Sequence, residues 1–145
     1  MTEATEAIEA PSSLILEGGG NRGVFTAGAL DFLMEKNVKF PYVVGVSAGS
    51  CNALDYVSHQ PGRTRDCMIV ENKENSYIAT RAALKKHQLF DMDMVFDRYP
   101  NELFPFDFDT FFQSDIQCEM VVTNCLTGDA EYMSEKHDRQ RLMDI

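Results

Sequence analysis

Compact apolar runs and stretches of helical spacing take turns along the first half of the chain. Ser13-Leu14-Ile15-Leu16 is a short apolar run and predicts a first strand. Glu17 and a glycine cluster follow at once: Gly18-Gly19-Gly20-Asn21-Arg22-Gly23. Val24 to Lys36 then predicts a helix. Its apolar residues leave only a narrow polar stripe, with Asp31 and Glu35 on it, so this helix is expected to be mostly buried. Asn37 suits the helix C-terminus, and Pro41 helps to end the connection. Tyr42-Val43-Val44-Gly45-Val46 predicts a short buried strand. After Ser47 the residues turn small and helix-compatible, and a helix is expected from Ala48 to about Val57. Strand, helix, strand predicts a right-handed βαβ unit with two parallel strands.

The second half is less regular. His59, Pro61 and Gly62 end the helix, and Arg63 and Arg65 fall in a polar connection. A further helix is expected from about Asn75 to Lys85-Lys86-His87, where His87 would complement the helix dipole. Asp91 to Tyr99 reads as a short helix capped by Asp91 and stopped at Pro100. Phe104, Phe106, Phe108, Phe111 and Phe112 are expected to form a core cluster; an apolar rim beside a lipid-binding cleft is the other reading. Cys118 to Cys125 predicts a third strand and Ala130 to Met133 a fourth. The turn Thr127-Gly128-Asp129 between them makes an antiparallel hairpin. A last helix starts near Arg139. The whole pattern is that of an α/β domain.

A length of 145 residues is enough for one domain with a core. The formal net charge of −10 argues against nucleic acid as a partner and disfavours electrostatic attraction to anionic membranes. Contact with lipid through apolar surface stays compatible with it. No run reaches the roughly 20 apolar residues that a spanning helix needs. The stretch 1–12 carries Glu3, Glu6 and Glu9, has no basic segment before an apolar one, and is expected to be a solvated, disordered tail rather than a secretion signal. Cys51, Cys67, Cys118 and Cys125 show no metal-like spacing with His59, His87 or His137. Buried, reduced thiols and a cytoplasmic location are therefore expected, with no metal.

Two segments carry candidate chemistry. Gly45-Val46-Ser47-Ala48-Gly49 places a serine between a β-branched run and a helix. Such a serine stays exposed at a sharp turn only if its neighbours carry no bulk, which Gly45 and Gly49 supply. The N–H of Ala48, at a helix N-terminus, could then hold a developing oxyanion. The first glycine cluster has several readings. Gly18, Gly20 and Gly23 fit a dinucleotide fingerprint, but no carboxylate ends the second strand as that reading requires. A P-loop would need Gly-Lys-Ser/Thr, which is absent. A backbone nest for an anion, assisted by Arg22, needs no further residue. A tight turn without function is the plain alternative. In a βαβ unit both segments lie at the carboxyl edge of adjacent strands, where ligands of open α/β sheets bind.

Gly18-Gly19-Gly20-Asn21-Arg22-Gly23 after a strand, followed about 25 residues later by Gly45-Val46-Ser47-Ala48-Gly49, resembles the patatin-like phospholipase family. The resemblance implies a three-layer α/β/α fold with a mainly parallel sheet, and hydrolysis of lipid acyl esters without cofactor. It implies a Ser–Asp dyad with Ser47 as nucleophile. It implies an oxyanion hole from the glycine-rich loop (Gly18, Gly19, Gly20, Arg22, Gly23) together with Ala48. The substrate it implies is a lipid or acyl ester, with transient contact at a membrane surface.

The base is the gap. The family's aspartate stands in a later Asp-Gly-Gly or Asp-Gly-Ala, and this chain has no Asp-Gly dipeptide. Gly128-Asp129 is the reverse order, and His59 lies too far along an outgoing helix to reach Ser47. Residues 13–145 are thus expected to be the N-terminal portion of a patatin-like domain whose aspartate is not among them. A different class remains open: a non-catalytic module whose glycine loop binds a phosphate or another anion.

Overall fold

A computed structural model describes residues 7–78 and 90–145. The expected helix end at Lys85, Lys86 and His87 lies outside them. The chain forms two compact units, Met1–Arg65 with Asp107–Ile145, and Asp66–Phe106.

The first unit is built on a four-stranded sheet of order β2-β4-β5-β6. Its strands are β2 (Ser13–Leu16), β4 (Tyr42–Val46), β5 (Gln117–Thr123) and β6 (Ala130–Met133). β2, β4 and β5 run parallel, and β6 returns antiparallel to β5, as the hairpin pattern predicts. The register lines up Leu14, Val43 and Cys118, and then Leu16, Gly45 and Met120. Side chains alternate across a pleated strand, so both rows share one face. That face is the buried one: Leu16, Val43, Cys118 and Met120 are all at or below 5% exposure. The helix α2 (Ala48–Val57) packs on it, with α1 (Gly23–Glu35) against α2. The reverse rows are Ser13, Tyr42 and Gln117, then Ile15, Val44 and Glu119. There Ile15 is 75% exposed, and the Tyr42 hydroxyl donates to Glu119 at 2.5 Å. That bond to a carboxylate pushes the Tyr42 phenol up to about 12.

Local departures from the sequence pattern have physical causes. The stretch expected to be a tail contributes β1 (Ile8–Glu9), which pairs in parallel with β3 (Val38–Lys39). Glutamates predicted solvation there, but backbone pairing to a strand edge needs no apolar side chain. The helix α1 is less buried than its composition suggests. Gly23, Ala27, Leu30 and Met34 form its buried stripe, whereas Phe25 is 87% and Phe32 56% exposed. One neighbouring helix covers one stripe, whatever the rest of the helix carries. Residues 63–68, expected as a connection, form the helix α3 (Arg63–Met68). Its start is tied to α2: Arg63 Nη1 lies 2.7 Å from Asp55 Oδ1, and the Thr64 hydroxyl donates to Asp55 Oδ2 at 2.6 Å. Burial pushes the Asp55 carboxyl up, and the Arg63 guanidinium opposes that.

The phenylalanine-rich stretch is core at three positions. Phe106, Phe108 and Phe111 are buried, and Phe112 packs edge-on to Phe111. Phe108 to Gln113 form the helix α4, and Arg139 to Asp144 the helix α5. Asp107 caps α4. Its carboxylate accepts from the Thr110 N–H at 2.9 Å and from the Thr110 hydroxyl at 2.7 Å, which hold the carboxyl below its usual range. Asp107→Ala is expected to cost about 1 kcal/mol in urea unfolding at pH 7. The depressed carboxyl contributes stability above its unfolded pKa and loses it as pH falls through the folded value. The difference between wild type and variant should therefore shrink on acidification below about pH 4.

In the second unit the helix expected to stop at Pro100 continues. Met94–Leu103 is π-helical and passes through Pro100. Proline lacks an N–H, and the wider turn accommodates it inside the helix. The segment closes with the Phe104 N–H donating to the Tyr99 carbonyl at 2.8 Å. Tyr99 is buried, and its hydroxyl donates to the Asn75 carbonyl at 2.7 Å.

Candidate active site

β4 ends in Val46, and the chain reverses at Ser47 before entering α2. Ser47 has φ 54° and ψ −125°, a backbone conformation rarely adopted outside glycine. The turn is held by close packing rather than by bulk. A Cβ on Gly45 would stand 2.3 Å from the Gly49 carbonyl oxygen, and one on Gly49 would stand 2.2 Å from that of Leu16. Strand and helix thus touch backbone to backbone on both sides of the serine. The Ser50 hydroxyl donates to the Gly45 carbonyl at 2.9 Å, and the Ser50 N–H to the Ser47 carbonyl at 2.8 Å. The result is an exposed Ser47 at the carboxyl edge of the central strand.

The glycine-rich loop leaves the carboxyl end of β2, next to β4. Gly18 lies directly against the serine. A Cβ there would stand 3.1 Å from Ser47 Cβ and 3.8 Å from its Oγ. Beyond it Gly20 to Arg22 form a single 3₁₀ turn, with Gly20 at φ 54°, that runs into α1. Gly23 is buried as the first residue of α1, and Asn52 Nδ2 donates to its carbonyl at 3.2 Å. Asn52 therefore ties α2, which starts at the serine, to the end of the glycine loop. Its Oδ1 is buried and has no partner among the described residues. Among the predicted residues, Gly18, Ser47 and Ala48 come together. Gly18, Gly19, Gly23 and the exposed Arg22 line a cleft of about 610 Å³ together with Glu17, Asn21, Phe25 and Thr26.

The chemistry available is that of a serine hydroxyl beside backbone N–H groups. The Ala48 N–H begins a ten-residue helix, whose N-terminal dipole favours negative charge. Cys51, one turn further on, does not compete as nucleophile. Burial pushes its thiol up to about 11, which keeps it protonated at neutral pH. Among the described residues no carboxylate or imidazole is hydrogen-bonded to Ser47. His59 stands at the far end of α2, exposed and with φ 53°. Asp129 lies in the β5–β6 turn, where its N–H donates to the Thr127 hydroxyl. No cluster of three or more His, Cys, Asp or Glu side chains among the described residues could hold a metal ion. Two features of the site carry no motif. Asn52 and Ser50 have residue types common in helices and turns, and only the packing of α2 against the strand and the glycine loop gives them a function. Of the four thiols expected to be buried, Cys118 is, Cys51 and Cys67 are half-buried, and Cys125 is exposed.

The family model described as patatin-like phospholipase matches residues 14–117. The uncharacterized protein YjjU of Escherichia coli (strain K12) is 30% identical over 99 residues, 68% of this chain. That alignment spans only 28% of YjjU. No solved structure matches.

Proposed function

Because the chain belongs to the patatin-like phospholipase family, whose members hydrolyse lipid esters, we propose that it carries the nucleophile and oxyanion hole of a serine lipid acyl hydrolase. The observation that carries this reading is the close approach of Gly18, the first residue of the glycine cluster, to an exposed, strained Ser47. Ser47 Oγ attacks the ester carbonyl, and its proton passes to an aspartate of a Ser–Asp dyad. The carbonyl oxygen, now negative, is held by N–H groups of the glycine loop and of Ala48. Collapse of the tetrahedral intermediate, with the aspartic acid returning its proton to the leaving oxygen, expels the alcohol or lysolipid and leaves an acyl–Ser47 ester. Water, activated by the same aspartate, then releases the fatty acid. The substrate is a phospholipid or lysophospholipid. No Asp-Gly dipeptide stands among these 145 residues, so this reading draws the aspartate of the dyad from outside them.

The test compares p-nitrophenyl ester hydrolysis by residues 1–145 alone and by a protein that also carries the segment with the aspartate. Loss of the base is expected to slow the former roughly 10²–10⁴-fold. Equal turnover by residues 1–145, abolished in Ser47→Ala, would contradict the dyad. A purely anion-binding module would turn over no ester in either form, while inorganic phosphate would bind the glycine loop unchanged in Ser47→Ala.

A further inference from the structure

Asn52 stands in the second turn of α2, four residues after Ala48 and on the same side of the helix. Its side chain is buried, and its Nδ2 reaches across to α1 to donate to the Gly23 carbonyl at 3.2 Å. It shares a small internal gap with Ala27, Leu30 and Met34 of α1. The polar neighbours Asp55 and Thr64 are bonded to one another at 2.6 Å, and Asn52 Oδ1 has no partner among the described residues. An apolar side chain of the same size would fill this place without leaving a buried acceptor unpaired. Packing alone therefore does not account for an asparagine here. What its carboxamide supplies is the bond to Gly23.

That bond closes a clamp on the glycine loop. The loop leaves β2 after Leu16 and enters α1 at Gly23. At its start α2 presses on it through Gly49, where a Cβ would stand 2.2 Å from the Leu16 carbonyl oxygen and 2.8 Å from that of Glu17. At its end Asn52 ties it to α2 again. Residues 18–22 thus span two points fixed on one helix. Gly18, Gly19 and Gly20 have no side chains to hold them and much backbone freedom to lose. Gly18 nevertheless sits against Ser47, and the helix that carries both anchors begins with the Ala48 N–H.

We propose that Asn52 is a positioning residue for the oxyanion hole. Its hydrogen bond to the Gly23 carbonyl holds the glycine loop in register with the first N–H of α2, so that donors from two separate elements converge on one oxygen. The inference rests on the reading of Ser47 as nucleophile and of these N–H groups as the oxyanion donors. Asn52 acts through the loop and not on the substrate. Donors aimed at developing charge work through their placement, and a displacement of about 1 Å costs on the order of 10²-fold in rate.

The experiment uses a protein that carries both Ser47 and the aspartate, with p-nitrophenyl butyrate as substrate. Asn52→Leu keeps the volume and removes both the bond and the unpaired oxygen. Its kcat is expected to fall roughly 10–100-fold with KM within about twofold of the wild type, while the urea midpoint is not lowered. Asn52→Ala breaks the same bond and is assayed at a temperature where circular dichroism shows it folded; its kcat should fall by a similar factor. Leu30→Val is the control. It trims a buried side chain of α1 and leaves the bond to Gly23 alone, so it should lower the urea midpoint and leave kcat unchanged. Phosphonylation of Ser47 by a fluorophosphonate, whose phosphoryl oxygen gains charge in the same hole, should slow in both Asn52 variants and not in Leu30→Val. A wild-type kcat in Asn52→Leu would overturn the inference. So would a loss of kcat that follows the urea midpoint through all three variants, which is what packing alone predicts. A raised KM at constant kcat would overturn it in favour of a role in substrate binding. Failure of the hydrolase reading would appear separately, as a wild type that neither hydrolyses the ester nor takes up the fluorophosphonate.

Discussion

Gly49→Ala is expected to destabilise the fold by at least about 3 kcal/mol, read as a drop in the midpoint of urea unfolding. The added methyl would fall 2.2 Å from the Leu16 carbonyl oxygen and 2.8 Å from that of Glu17. Both obstacles are backbone: Leu16 is the last residue of β2, which is hydrogen-bonded into the sheet, and Glu17 follows it directly. No flexible side chain can swing aside, so α2 has to lift off the sheet or β2 has to leave β4. Either movement also separates Gly18 from Ser47, so activity should fall together with stability. Gly45→Ala meets the Gly49 carbonyl oxygen at 2.3 Å and should behave alike. Gly28→Ala is the control. Nothing lies within 4 Å of a Cβ there, and alanine favours the helix over glycine, so that variant should gain about 0.5–1 kcal/mol. A neutral Gly49→Ala would mean that strand and helix do not touch as described.

Ser47→Ala carries the largest expected effect on function. In a protein that carries the aspartate as well, it should lower kcat for ester hydrolysis by roughly 10⁴–10⁶-fold, because the attacking oxygen is gone while the oxyanion donors remain. The fold should hardly notice, since the Ser47 side chain is exposed. A companion variant separates strain from chemistry. Ser47 has φ 54° and ψ −125°, a conformation that costs a non-glycine residue about 1–3 kcal/mol. Ser47→Gly should therefore be inactive and yet about 1 kcal/mol more stable than wild type. Opposite changes in activity and stability at one residue are the mark of a strained turn kept for its chemistry. An active Ser47→Gly would sink the assignment.

Much of this was legible in the sequence where local constraint is strong. Ser13–Leu16, Tyr42–Val46 and Ala48–Val57 form the elements that their spacing predicts, and the hairpin of β5 and β6 turns where Gly128 stands. The two glycine segments were legible for the same reason. Backbone contacts of the kind made by Gly45 and Gly49 exclude every side chain, so the residue type itself records the contact. What stayed hidden depends on neighbours far along the chain. The exposure of Phe25 and Phe32 follows from which stripe of α1 meets α2, and an apolar composition cannot reveal that. The pairing of Ile8 and Glu9 with Val38 and Lys39 is a backbone event without an apolar signal. The π-helical passage through Pro100 overrides a stop signal that holds for an ordinary helix. Within the site, Asn52 bridges to Gly23 across many residues, and no spacing rule anticipates the bond.

The most direct test of Ser47 as the nucleophile is covalent. A protein that carries both Ser47 and the aspartate is treated with a fluorophosphonate, and the adduct is located by intact mass and peptide mapping. The predicted result is one phosphonyl group, on Ser47, formed in the wild type and absent from Ser47→Ala. An unlabelled wild type, or an adduct placed on another residue such as Cys51, would contradict the account.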